Sequence, residues 1–172
     1  MKRLILAALL AGTSLPALAQ EAVQPEQTFA IAPKPEAVGA RYMVAAANPV
    51  AVAAGEAVLA EGGTAADALV AVQLALNLVE PQSSGIGGGA FLIYWDEKAK
   101  RLTSLDGREK APMAATPDYW LDEDGEPVGW WDAVIGGRSV GVPGTLRLLE
   151  EAHDRWGAKN WAGLVRPIAG MA

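Results

Sequence analysis

The chain has 172 residues, with 14 Lys and Arg against 20 Asp and Glu, a formal charge of −6, one His and no Cys. That length fits one domain, and the acidic balance excludes a general nucleic-acid-binding surface, which needs a basic face. The lack of Cys excludes disulfides and cysteine-linked lipid anchors, and a lone His argues against a zinc site of the usual His/Cys kind.

Residues 1–19 read as a signal peptide. Lys2 and Arg3 open it, an apolar centre follows over residues 4–10, and Ala17-Leu18-Ala19 is a small-x-small cleavage site. The apolar run is too short to span a bilayer, which takes roughly 20 residues. Cleavage is expected after Ala19, leaving a mature charge of −8, because the leader holds two bases and no acids. The protein is therefore expected to be exported, to a bacterial periplasm or beyond, with no stable membrane insertion.

Residues 20–40 hold Pro25, Pro33 and Pro35 among small and polar residues and read as an exposed lead-in. The folded part is expected from Arg41. Residues 42–47 form a short apolar run, a candidate buried strand. Asn48-Pro49 supplies a helix start, Asn as N-cap and Pro at the first turn. That helix is predicted to run to about Glu61, where Gly62-Gly63 gives a left-handed stop. Thr64-Ala65-Ala66-Asp67 is a capping box with Asp in the Glu position. The helix it opens continues to Val79 and is apolar around nearly its whole circumference, which predicts a buried core helix. It is too short and too polar, with Asp67, Gln73 and Asn77, to be transmembrane.

Residues 80–89, Glu-Pro-Gln-Ser-Ser-Gly-Ile-Gly-Gly-Gly, contain four glycines in their last five positions. Such a run implies either positive φ or a backbone lying close to something else. Residues 90–95 follow as a strand whose unbroken apolarity predicts cover on both faces. Residues 96–100 are a polar turn. Residues 101–105 return as a strand, with Leu102 and Ser104 on one face and Arg101, Thr103 and Leu105 on the other. Arg108 comes directly after. It is a candidate holder of an anionic substrate group, or else a structural ion-pair partner of Asp106 or Glu109.

Residues 110–142 are expected to be irregular, interrupted by Pro112, Pro117 and Pro127. The acidic turn at residues 122–125 lacks the downstream ligands of a calcium loop. A second glycine-rich segment spans residues 136–144. A helix from Thr145 to Trp156 follows, with His153 on its face as a packing or surface residue and not a catalyst. A last helix starts near Trp161 and is expected to run into the chain end uncapped, which predicts a fragment of a longer protein.

The glycine run loosely fits G-x-G-x-x-A, but a dinucleotide site needs a strand before and a helix after. Here the order is reversed, and no helix N-terminus is expected to face the loop. No Gly-Lys-Ser/Thr follows for a P-loop, and Ser83 and Ser84 lack a nucleophile elbow.

Five motifs occur in order: Met43-Val44-Ala45-Ala46-Ala47-Asn48-Pro49, Gly62-Gly63-Thr64-Ala65-Ala66-Asp67-Ala68, the segment at residues 80–89, Leu105-Asp106-Gly107-Arg108-Glu109, and Gly141-Val142-Pro143-Gly144. In this the chain, over residues 41–172, resembles the start of the large subunit of the γ-glutamyltransferases (glutathione hydrolases). The resemblance implies an α+β chain, the N-terminal part of a four-layer αββα sandwich of the N-terminal-nucleophile hydrolase type. It implies a precursor that cuts itself into a large and a small subunit. A Thr at the new N-terminus attacks the γ-glutamyl amide of glutathione and passes the acyl group to water or an amino acid or peptide. No metal or cofactor is implied. The resemblance assigns Arg108 to the α-carboxylate of the γ-glutamyl group; a planar guanidinium fork matches a carboxylate in a way Lys cannot. No catalytic residue is carried onto this chain, because the nucleophilic Thr would lie beyond residue 172. Taken alone, the 172 residues are expected to be inactive, with the small subunit of the same precursor as partner. A β-lactam (cephalosporin) acylase on the same scaffold and a non-catalytic truncated homologue remain as alternatives.

Overall fold

The structure, a computed structural model, describes residues 36–172. The expected signal peptide and nearly all of the lead-in lie outside the described residues. Helix α1 (Pro49–Ala60) starts where Asn48 accepts a hydrogen bond from Val50 N–H at 3.0 Å with Pro49 at its first position, and Gly62 follows its end at φ +80°. Helix α2 (Ala65–Val79) opens on the predicted capping box, Thr64 Oγ1 accepting from Asp67 N–H while the Asp67 carboxylate accepts from Thr64 N–H.

Helix α2 is the axis of the fold. None of its residues from Ala66 to Asn77 is exposed, because it packs against α1 and against two later helices, α4 (Thr145–Trp156) and α5 (Trp161–Ala169). One buried cluster joins Val70 of α2 to Leu148, Leu149 and Leu164. A second joins Ala75 to Ala51 and Ile168. The small residues of α1 let it approach closely: a Cβ on buried Gly55 would lie 2.6 Å from Val72 Cγ2.

Strands β1 (Ala90–Asp96) and β2 (Arg101–Gly107) form an antiparallel hairpin, with Leu92 opposite Leu105 and Tyr94 opposite Thr103. Leu92 and Leu105 turn inward onto the core cluster built on α2 and α4. Tyr94 stacks on Trp156 of α4 at 4.1 Å and 10°. The predicted facing of β2 holds. Among the described residues this is one helical layer on part of one sheet, a mixed α+β arrangement.

Four expectations are corrected. Residues 42–47 are not a strand, since the sheet's two strands pair only with each other and offer this segment no ladder. Its side chains still alternate: Val44 packs at Gly55 and Ala46 joins the second cluster, while Met43 is exposed. Strand β1 is covered on one face only. Phe91, Ile93 and Trp95 point away from the helices, with Ile93 72% exposed, because nothing among the described residues lies over that side. Residues 110–142 are not wholly irregular: they hold a short helix α3 (Trp130–Val134) and a 3₁₀ turn (Gly137–Ser139). Finally, α5 does not run into the chain end. It closes at Ala169, where Gly170 N–H bonds back to the Arg166 carbonyl and Met171 N–H to that of Ile168, following Pro167 inside the last turn.

Candidate functional site

Three stretches remote in sequence meet at the end of β2. Gly107 is the last residue of the strand, and a Cβ there would lie 2.6 Å from Leu148 Cβ on α4. A Cβ on Gly144 would run into the carbonyl of Gly107 itself. A Cβ on Gly89 would lie 2.8 Å from the backbone nitrogen of Glu109, with the Glu109 carboxylate as close or closer. One on Gly141 would lie 2.9 Å from Glu109 Cβ. The glycines of three separate motifs are therefore there so that backbones can touch.

This accounts for the last glycine of the run. None of Gly85, Gly87, Gly88 and Gly89 has a positive φ; of the two alternatives, Gly89 takes the close approach. The expectation that no helix N-terminus faces this loop is overturned. The N–H groups of Gly144 and Thr145, at the start of α4, both bond the Gly88 carbonyl, at 3.0 and 3.1 Å. Those donors are thereby committed to the protein's own backbone. A separate set of side chains anchors the run's beginning: Ser84 Oγ accepts from Gln73 Nε2 at 2.6 Å and donates to Asn77 Oδ1 at 3.0 Å, and Glu80 accepts from Asn48 at 3.1 Å.

Arg108 leaves this knot toward solvent. Its N–H donates to Asp106 Oδ1 at 2.9 Å, so Asp106 fixes the backbone and leaves the guanidinium alone. The nearest anion is Glu109, whose Oε2 lies 3.3 Å from Arg108 Nε. The contact is an ion pair without hydrogen-bond geometry, since Glu109 Oε2 is buried with no hydrogen-bond partner. The Arg108 side chain is 67% exposed, and among the described residues its guanidinium makes no hydrogen bond. Of the two roles left open by the sequence, the ion pair exists with Glu109, yet it leaves the donors of the fork uncommitted.

Arg108 borders two cavities. One of about 530 Å³ opens toward Lys110, Tyr119, Trp120 and Arg138. The other, of about 390 Å³, opens toward Arg147 and Arg155 on α4. Glu109 and the aromatic and cationic wall of the first cavity were not picked out as site residues from the sequence. Glu109 had a local signal, being the last residue of the Arg108 motif. Tyr119, Trp120 and Arg138 had none, because they reach Arg108 only through tertiary folding.

His153 lies elsewhere. Its Nε2 is 2.8 Å from the Lys159 carbonyl, and since a carbonyl only accepts, Nε2 is the donor. Its ring meets Trp161 edge-on at 5.3 Å, a packing position between α4 and α5. Among the described residues no group of three or more His, Cys, Asp and Glu could hold a metal ion, and no helix is long and apolar enough to cross a membrane.

By superposition on solved relatives, the described residues form part of the N-terminal-nucleophile hydrolase fold. The family model for gamma-glutamyltranspeptidase matches residues 51–172, and the chain belongs to that family. It is 50% identical over 135 residues to the glutathione hydrolase proenzyme of Bacillus subtilis (strain 168), covering 78% of this chain and 23% of that protein. Helicobacter pylori gamma-glutamyltranspeptidase superposes with a TM-score of 0.72 at 35% identity, over 78% of this chain and 38% of that one. A cephalosporin acylase from Bacillus halodurans superposes with a TM-score of 0.56 at 29% identity, over 83% of this chain and 27% of that one. The chain thus spans about a quarter of the length of the Bacillus subtilis relative.

Proposed function

We propose that this chain is the substrate-anchoring part of an exported enzyme that cleaves γ-glutamyl amides such as glutathione. The acyl group then passes to water or to an amino acid or peptide. The observation that carries the proposal is the exposed guanidinium of Arg108, at the mouth of a cavity, with its donors uncommitted in a member of this family. In this reading Arg108 takes the α-carboxylate of the γ-glutamyl group as a two-pronged ion pair, which orients the γ-carbonyl. The knot of Gly89, Gly107, Gly141 and Gly144 holds the base of Arg108 against α4, so the cation is presented from a rigid support.

The bond-breaking group comes from the remainder of the precursor. A Thr at the start of the small subunit attacks the γ-carbonyl, the amine departs with a proton, and the acyl-Thr ester is opened by water or by an acceptor amine. The relative from Bacillus subtilis is named a proenzyme, which supports a processed precursor. Export is supported by the leader-like residues 1–19.

The test is release of the anilide from a γ-glutamyl anilide by the full-length gene product. Arg108→Lys is expected to raise KM sharply while kcat changes less, because Lys supplies the charge without the fork. Kinetics unchanged by Arg108→Lys would remove the assignment. Cleavage of a glutaryl β-lactam amide in preference to the γ-glutamyl anilide would replace it with the acylase reading, for which the Bacillus halodurans structure speaks.

A further inference from the structure

The cavity of about 530 Å³ beside Arg108 carries more positive charge than one carboxylate needs. Three cations border it, Arg108, Lys110 and Arg138, against a single acid, Glu109. This is a local excess of positive charge in a chain whose formal charge is −6. The Glu109 carboxylate lies against Gly89 and beside Arg108, so it offsets Arg108 and not the other two. Neither Lys110 nor Arg138 makes an ion pair among the described residues. A cavity of this size falls within the range that accommodates small-molecule ligands.

Arg138 is also positioned by its surroundings. Its guanidinium carbon lies 5.4 Å from the centre of the Tyr119 ring and 6.0 Å from that of Trp120. The two rings meet edge to face at 5.2 Å and 89°. The Tyr119 hydroxyl donates to the Arg138 carbonyl at 3.2 Å, which ties the backbone to the same aromatic wall. Contact with ring faces attracts the cation but consumes none of its five N–H donors. The strand-like pairing of Lys110 with Val142, with N–H to carbonyl distances of 3.3 and 2.8 Å, holds the Arg108 segment beside the Arg138 segment.

We propose that Arg138, with Lys110, binds a second carboxylate, one carried on the leaving-group side of the scissile amide, so that the site prefers dianionic donors over donors whose leaving group is neutral. This rests on Arg108 taking the α-carboxylate, as proposed above. With the first carboxylate on Arg108, a peptide leaving group that ends in a free carboxylate extends along the cavity toward the aromatic wall. Two anchors on the wall of one cavity would also fix which end of the substrate faces the nucleophile.

The experiment compares two chromogenic donors on the full-length protein: γ-glutamyl-para-nitroanilide and its ring-carboxylated analogue. The readout is the ratio of their kcat/KM values. Arg138→Ala is expected to lower the preference for the carboxylated donor about tenfold, through KM, which is the scale of one charge-assisted hydrogen bond. Arg138→Lys is expected to restore part of it. If Arg138→Ala slows both donors by the same factor, or leaves the ratio where it was, the proposal is overturned and Arg138 is only a brace for the wall. Should Arg138→Ala fail to fold, the wild type decides by itself: added salt must erode the preference for the carboxylated donor, and a ratio insensitive to salt overturns the proposal. A wild type that cleaves neither donor overturns the γ-glutamyl reading and this inference together, whereas cleavage of both with an unshifted ratio overturns this inference alone.

Discussion

Asp67 and Arg108 are charged residues treated in opposite ways. Asp67 is fully buried, and every direction around its carboxylate is occupied. It accepts from Thr64 N–H at 2.8 Å and Thr64 Oγ1 at 3.0 Å within its own capping box. It also accepts from Ala158 N–H at 3.0 Å and Lys159 N–H at 3.3 Å, in the turn between α4 and α5. Burial alone would raise its pKa, but the backbone donors of Thr64, Ala158 and Lys159 and the Thr64 hydroxyl together hold it below the ordinary aspartate range. Arg108 is mostly exposed, touches one carboxylate without a hydrogen bond, and borders two cavities. A charge whose valences are all satisfied within the protein is a structural clamp. A charge left open beside empty space is available to a ligand.

The sharpest way to break that contrast is to remove both charges in the full-length protein and see which property each one costs. Arg108→Ala is expected to lower kcat/KM for a γ-glutamyl anilide about 30- to 5,000-fold, corresponding to the ~2–5 kcal/mol of a truncated charge pair, with the thermal midpoint little moved. Asp67→Asn is expected to do the reverse: a loss of about 3 kcal/mol in urea unfolding, with KM unchanged. A large KM effect from Asp67→Asn would erase the distinction. Gly144→Ala is expected to cost about 2 kcal/mol and to lower activity as well, since its Cβ would press on the Gly107 carbonyl next to Arg108. The acid limb gives a smaller signal. Because the folded pKa of Asp67 is depressed, its contribution is complete above the unfolded value of about 3.9 and fades as pH falls toward the folded value. Wild-type stability should therefore converge on that of Asp67→Asn in acid unfolding curves below about pH 4. Parallel curves there would show that the clamp is not ionised. The smallest effect belongs to Gly87→Ala. Gly87 has no positive φ and no atom within 4 Å of its Cβ position among the described residues, so stability should shift by about 0.5 kcal/mol or less. A loss well beyond that would reveal a contact from the rest of the precursor.

Most of the helical frame was legible because its signals are local. Asn48-Pro49 starts α1, Thr64 and Asp67 start α2, and the i, i+3, i+4 spacing within Leu146, Leu149, Ala152, His153 and Trp156 marks α4. Residues 42–47 differ from expectation because apolarity alone cannot distinguish a strand from a segment lacking a partner strand. The unbroken apolarity of β1 was equally ambiguous about cover, which depends on what lies over Phe91 and Ile93. At the site, the Arg108 candidate came from a motif, but the reason for the glycines around it did not. Gly89 meets Glu109, and Gly144 meets Gly107, across long stretches of chain, and such contacts leave no periodicity to read.

The two glycines at the end of β2 differ in how their loss could be repaired. A methyl at Gly107 would meet the Leu148 side chain as well as the Ala90 carbonyl, with the side chain nearest. The nearest atom is Leu148 Cβ at 2.6 Å, so among side-chain exchanges only Leu148→Gly removes it. A methyl at Gly144 meets only backbone, the carbonyl groups of Gly107 and Arg108. No exchange of side chains elsewhere can withdraw a carbonyl. In a selection for revertants, a second-site suppressor of Gly107→Ala at position 148 should therefore be glycine, while Gly144→Ala should yield only true reversion, a one-way door in the protein's mutational landscape.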